Sequence, residues 1–404
     1  MSAVRSPRID VDALVVGGGI VGSALALGLR QRGLDVQVVD TAPPAAWRPD
    51  APDLRVYAIA ADVRALLARL DVWSVARERR VSPYSTMQVW DAAGGGTLRI
   101  EADALGVPQL GHIVEDALLA EVLQAAGERA GVRLERGAAF EALEPSDAGS
   151  EAVVAQLGDG RRLRARWLFG ADGARSTVRA AAGIGVEARD YGACGLVAFV
   201  RSERPHAATA WQRFLPTGPL ALLPCADGRV SIVWSLPDAE ARRLRDAPVD
   251  RFDAELTRAA DRVLGALSLD GERRLFPLSR QLAASMANGR VALLGDAAHV
   301  VHPLAGQGLN LGLRDVGALL DAIDAVEADG AGRARGDWLT PARVARWARE
   351  RGSENALAAR TFEAIHRLYI TDAPLPMALR GAALGAANLP PIRRLLWRAA
   401  AGLA

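Results

Sequence analysis

The chain has 404 residues, half of them apolar, and a formal net charge of +2. That length buries a large core and predicts two domains with a C-terminal extension, while the balanced charge gives no reason to expect a nucleic-acid partner. All 49 basic residues are arginine, which excludes Schiff-base and Walker A lysines and with them pyridoxal enzymes and P-loop NTPases.

In chain order, Val11 to Val16 predicts a strand, Gly17 to Gly22 a turn, Ile20 to Arg32 a helix stopped by Gly33, and Val36 to Val39 a strand ending in Asp40. The first apolar run is therefore a strand and not a signal peptide. Thr41 to Asp53 reads as a mobile loop and Arg55 to Leu70 as a helix. Met87 to Asp91 and Leu98 to Ile100, broken by Gly94 to Gly96, read as a hairpin. Leu118 to Ala130 is a helix ending at Gly131; Val153 to Leu157 and Leu163 to Phe169 form a second hairpin. Short strands follow at Val197 to Val200, Ala210 to Phe214, Leu220 to Leu223 and Val230 to Trp234, then a helix from Val249 to Leu267. Leu275 to Leu282 returns the chain to its first domain, and the residues past about 330 are helical. Cys194 and Cys225 lack CxxC spacing, so no metal site and no redox pair are expected, and a reducing cytoplasm fits. No apolar stretch is long enough to span a membrane.

Gly17-Gly18-Gly19-Ile20-Val21-Gly22 fits G-x-G-x-x-G between a strand and a helix. Gly17 permits the turn, Gly19 lets a pyrophosphate approach the backbone, and Gly22 lets helix and strand pack closely. Asp40 ends the second strand, placed to accept from ribose hydroxyls. This motif alone does not separate FAD from NAD. Asp172-Gly173 lies between a strand and a small-residue helix; it either holds a cofactor or caps that helix. Gly295-Asp296, followed by Pro303, Gly306, Gln307, Gly308, Leu309 and Asn310, describes backbone held close to a large planar ligand.

These motifs, in this order, resemble the flavin-dependent aromatic hydroxylases of the para-hydroxybenzoate hydroxylase fold. Leu54 to Ile59, Ser82-Pro83-Tyr84, Val89-Trp90-Asp91, Leu110 to Glu115 and Gly295 to Asp315 are similar to the ubiquinone-biosynthesis branch. The resemblance implies an α/β fold: an FAD-binding Rossmann-like domain (1–80, 101–185 and 277–330), an inserted β-sheet substrate domain (81–100 and 186–276) and a C-terminal helical segment (331–404). It implies that Asp296 bonds the ribityl hydroxyls, that Gly306 to Asn310 line the isoalloxazine, that Arg55 lies near the cofactor, and that Asp172 sits by the pyrophosphates. Asp116 stands where relatives often have Asn, and its role is left open.

The implied reaction uses FAD, NADPH or NADH, and O2. A flavin C4a-hydroperoxide hydroxylates the ring of a polyprenyl phenol or quinol, with C5 favoured over C6. No second G-x-G-x-x-G and no redox cysteine pair points to the two-dinucleotide reductases. The alternatives are hydroxylation of another aromatic, or a flavin-bound non-catalytic subunit of a membrane-associated biosynthetic complex. No catalytic base is assigned; His299 and His302 are the candidates, although a His beside a tight turn is more often structural. Phe199, Trp211, Phe214, Leu222 and Trp234 are the pocket candidates, with ordinary sheet core as the competing reading. Leu389 to Leu403 combines Arg393, Arg394 and Arg398 with Leu395, Leu396 and Trp397. It either lies on an anionic membrane, binds partner enzymes of the pathway, or docks on the nucleotide domain. A cytoplasmic protein, peripheral on the inner membrane face, is the expected location.

Overall fold

A computed structural model describes residues 9–93, 95–145, 150–301, 307–328, 339–370, 381 and 383–402. The chain is mixed α/β, and its strands fall into three sheets. The first sheet begins with Val11–Val16, whose residues are nearly all buried because both faces are covered by helices. This strand runs parallel to Val36–Asp40 on one side and to Arg162–Gly170 on the other. Arg133–Arg136 and Val291–Leu293 extend the sheet in parallel, and Val153–Leu157 folds back antiparallel onto Arg162–Gly170. Three distant parts of the chain thus meet at the C-terminal ends of adjacent parallel strands, where the Gly17, Gly170 and Leu294 backbones leave them.

The second sheet is eight-stranded and antiparallel, except where Thr209–Leu215 runs parallel to Thr86–Asp91. Its long members are Val186–Ser202 and Leu267–Ala283, each of 17 residues, far longer than the short runs the apolar pattern predicts. Polar, exposed residues at one end of each hide the pairing from a hydrophobicity reading. Helices Asp238–Asp246 and Val249–Ala259 cover one face of this sheet, burying Leu196, Leu220, Ile232 and Phe252 together. The helix expected to reach Leu267 stops early. Asp261 and Arg262 adopt positive φ, Gly265 turns the chain, and Leu267 begins a strand.

A small third sheet joins Val56–Ile59, Gly111–Glu115 and Val81–Tyr84. The predicted helix from Arg55 is therefore a strand first and a helix only over Ala61–Arg69. Trp73–Arg80 is a further helix that the pattern did not announce. The Thr41–Asp53 stretch, read as mobile, is tied at its centre: Trp47 N–H donates to Glu121 at 2.7 Å, and the Asp53 N–H donates to Glu115 at 2.9 Å.

In the C-terminal segment, Pro341–Ile370 packs on Gln307–Ala328, and Trp167 donates its indole N–H to the Leu339 carbonyl at 2.8 Å. Pro390–Ala400 docks by its far end: Arg314 donates to the Ala400 carbonyl and Asp62 N–H to that of Ala401. Trp397 packs inward, while Leu389, Leu395 and Leu396 stay exposed. No helix among the described residues is long and apolar enough to cross a membrane.

Candidate active site

The glycine motif forms a cradle whose geometry explains each glycine differently. Gly17 has φ +103°, and a Cβ there would stand 2.3 Å from the Ala171 carbonyl oxygen. At Gly22 a Cβ would stand 1.9 Å from the Gly17 oxygen. These two glycines let strand, helix and the Ala171 turn touch. Gly19 is unlike them: nothing lies within 4 Å of a Cβ there, and it lines a cavity at the N-terminus of helix Ile20–Gln31. Its open side is the place for a ligand that needs unshared N–H groups and a positive helix end.

Asp40 is committed to the protein. It accepts from the Gly18 N–H with one carboxylate oxygen and from the Ala42 N–H with the other. Gln124, which carries no motif signal, donates to the Gly18 carbonyl at 2.7 Å and accepts from the Ala45 N–H. Asp172 is equally committed. It accepts from Ser176 Oγ, from Thr177 N–H and Oγ, and from the Val178 N–H, so it caps the helix Thr177–Ala181. Asp172 does not line the cavity; its neighbour Gly173 does.

The second block closes the cavity from the other side. Val291–Leu293 leads to Gly295, at φ +58°, and then Asp296 projects into the cavity. Its surface is open to the cavity, yet protein surrounds it closely. That desolvation raises its carboxyl above the ordinary range, against the pull of His299 and Arg55. Gly308 and Leu309 line the cavity at the start of helix Gln307–Ala328; Gln307 opens the helix beside them. Asn310 is fully buried and bridges this helix to the small sheet, donating to the Ala58 carbonyl and accepting from the Ala60 N–H. His302, Pro303 and Gly306 lie outside the described residues.

His299 is not placed for proton transfer to a ligand. It is buried, does not line the cavity, and holds Asp315 Oδ2 at 2.6 Å with Nε2. Of the other histidines, His112 packs edge-on to Trp73 and is pushed down to about 4 by burial, helped by Arg64 and Arg77.

The cavity itself measures ≈ 510 Å³, within the range of about 300–1,000 Å³ usual for small-molecule sites. The nucleotide side supplies its charged groups, Arg55, Asp116 and Asp296. Tyr57 donates to Asp116 at 3.0 Å, and Arg55 lies 3.8 Å from the same carboxylate and over the Phe276 ring. Burial raises the Asp116 carboxyl, with Arg55 and the Tyr57 hydroxyl opposing. Tyr57 was named only within the Leu54 to Ile59 resemblance, and Asp116 with its role left open, because neither sits in a glycine motif. An outer cleft of ≈ 480 Å³, lined by Arg245, Arg273 and Arg274, shares Arg55, Asp116 and Phe276 with the cavity.

The opposite wall is the bare face of the second sheet. Side chains alternate across a sheet, and the register sets which ones face inward. Val197, Val233, Ala221 and Gln212 pair in one row, and all line the cavity. Their neighbours Leu222 and Trp234 belong to the helix-covered core on the other face, which corrects their assignment to the pocket. Trp211 borders the cavity but packs against that same core, edge-on to Trp90. Phe199 and Phe214 have the inward parity but lie beyond the cavity. Phe199 packs with Leu54 under the Arg229 guanidinium, and Phe214 stacks on Tyr369 with centroids 3.7 Å apart.

The residues fit FAD. A helix N-terminus with an open glycine, a carboxylate facing the cavity, and a backbone approach at Gly308 are the groups needed for pyrophosphate, ribityl chain and ring. Residues 10–349 match the family described as FAD binding domain. The chain is 38% identical over 314 residues to the 3-demethoxyubiquinol 3-hydroxylase of Escherichia coli, covering 77% of this chain and 79% of that protein. It is 36% identical to the ubiquinone hydroxylase UbiL of Rhodospirillum rubrum, covering 97% of this chain and 89% of that one. Its fold is that of p-nitrophenol 4-monooxygenase from Pseudomonas putida, with TM-score 0.76 and 98% of each chain covered at 20% identity. The chain therefore belongs to the FAD-binding family of flavin-dependent aromatic hydroxylases, in the branch of the ubiquinone-biosynthesis hydroxylases.

Proposed function

We propose that this protein hydroxylates the aromatic ring of a polyprenyl phenol or quinol on the way to ubiquinone, consuming NAD(P)H, a proton and O2 and releasing NAD(P)+ and water. The observation that carries the reading is the shared cavity: Gly19, Asp296 and Gly308 on one wall face an apolar sheet on the other. FAD supplies two-electron reduction by NAD(P)H and activation of O2 for transfer to an electron-rich ring. The chain's own residues bind, orient and dry the site. The helix starting at Ile20 neutralises phosphate charge, Asp296 orients a hydroxyl-bearing chain, and Val197, Ala221 and Val233 exclude water from the ring.

Among the described residues the sheet wall carries no carboxylate, imidazole or other charged group. The substrate ring then brings its own activation, as a phenol or methoxy donor does. C5 is the ring position we favour, with C6 as the competing outcome; the E. coli relative is named for 3-hydroxylation of 3-demethoxyubiquinol. The exposed leucines and arginines of Pro390–Ala400 support peripheral contact with an anionic membrane, where a prenylated substrate resides. The test is mass spectrometry. FAD-loaded protein with NADPH, O2 and a prenylated phenol should yield the singly oxygenated phenol, and deletion of the gene should accumulate its precursor. NADPH consumption that no prenylated phenol stimulates, with no oxygenated product, sinks the reading.

A further inference from the structure

Resting on that reading, we propose that Gln212 is the polar anchor of the substrate ring: its side-chain amide holds a neutral ring oxygen, which selects uncharged phenols over phenols carrying a carboxylate. The inward row of the second sheet reads Val89, Gln212, Ala221, Val233, Val197 across five strands. Gln212 is the one polar side chain in it. No hydrogen bond of the Gln212 side chain is present among the described residues, although the amide offers two donors and an acceptor. The rest of the wall owes its depth to small residues, Gly195, Ala210 and Ala221, so a planar ring can lie flat against the sheet beside the amide.

When a ring enters and water leaves, an amide in an apolar wall loses its partners unless the ligand replaces them. A phenol hydroxyl donates to Oε1 and a quinone or methoxy oxygen accepts from Nε2, so one glutamine serves a ring at several oxidation levels. Tyr84 reaches the same corner: Ser85 N–H donates to the Ala208 carbonyl, and Met87 pairs with Ala210. Burial pushes the Tyr84 phenol up to about 12, so it too is neutral. A carboxylate on the ring finds no cation on this wall among the described residues; Arg55 stands on the nucleotide side, already beside Asp116. A buried, unpaired carboxylate is strongly disfavoured.

The experiment is a binding comparison on FAD-loaded protein, read by calorimetry and by the flavin absorbance. The probes are 2-prenylphenol, prenylbenzene, which lacks the hydroxyl, and 3-prenyl-4-hydroxybenzoate. The native protein should prefer the phenol to prenylbenzene by roughly tenfold, the weight of one neutral hydrogen bond. Gln212→Leu and Gln212→Met should abolish that preference by weakening the phenol alone, with flavin content and melting temperature unchanged. An undiminished preference in both variants overturns the proposal, as does a native protein that fails to distinguish the two, or one that binds the benzoate more tightly than the phenol. Absence of oxygenated product would defeat the proposed reaction while leaving this binding comparison to stand or fall by itself.

Discussion

His299 holds Asp315 at 2.6 Å through Nε2, and both side chains are buried. Asp315 also accepts from Arg351, Asn355 and the Gly295 N–H, so one carboxylate joins the Gly295 turn and its own helix Gln307–Ala328 to the C-terminal helix Pro341–Ile370. Burial alone would raise that carboxyl; His299, Arg351 and Asn355 outweigh it and hold it below its ordinary 3.8. Stability from this group is thus fully present above about 3.8 and lost as pH falls through the lowered value. Asp315→Ala takes the buried carboxylate from His299 and from the Arg351 Nε, leaving Arg351 only Glu354 and Asn355, and should cost about 3–5 kcal/mol in denaturant unfolding. Asp315→Asn should unfold with a flatter acid limb than the native chain. An unchanged unfolding midpoint in Asp315→Ala would show that the network holds nothing together.

The glycines of the first motif separate folding from binding. Gly22→Ala places a Cβ 1.9 Å from the Gly17 oxygen, so helix and turn must part; a loss of about 3 kcal/mol or more, or no soluble protein, is expected. Gly19→Ala meets nothing within 4 Å, and its backbone lies at φ −68°. Its unfolding free energy should stay within about 0.5 kcal/mol of native, while FAD binding weakens. Thermal melts of the FAD-free proteins, set beside fluorescence titration with FAD, check both halves. Equal damage to folding at the two positions would count against a ligand approaching at Gly19.

The strand–turn–helix start and the Gly295–Asp296 turn were legible because glycine patterns report backbone demands directly. What Asp40 and Asn310 bond to was not, since each finds protein partners far along the chain, whereas Asp172 caps the next helix locally, one of the two readings its position allowed. The pocket wall was hidden for a different reason. One face of the second sheet packs under helices and the other lines the cavity, so both parities are apolar and Leu222 looks as good a candidate as Ala221. Bulk misled as well: the large residues fill the core, and the small ones leave the space.

Asp296 links ligand binding to stability with opposite signs. Its carboxyl is raised by desolvation, so the stability it contributes is present below about 3.8 and is lost as pH rises through the raised value. Without FAD, Asp296→Asn should melt higher than the native chain at neutral pH, and the gap should close in acid. With FAD, the variant loses a charge-assisted hydrogen bond to a hydroxyl, and affinity should fall roughly tenfold to a hundredfold. Full flavin content in purified Asp296→Asn and Asp296→Ala would remove Asp296 from the cofactor site.

The C-terminal helix offers the last separation, between docking and membrane contact. Leu395 and Leu396 are 67% and 43% exposed on Pro390–Ala400, whereas Trp397 packs inward and the Ala400 carbonyl is held by Arg314. One face therefore anchors the helix to the protein, with Arg393 half-buried beside Trp397, and another is presented outward, with Arg394 along it. Changing both leucines to glutamate removes exposed apolar surface without touching the docked face, so the melting temperature should not move. Sedimentation with vesicles containing anionic lipid should drop, because buried leucine area and basic residues act together at a headgroup interface. Raising the salt should weaken the native protein's sedimentation, since screening reduces the arginine contribution. Native protein that stays in the supernatant with anionic vesicles at low salt would leave the exposed leucines without a bilayer to meet.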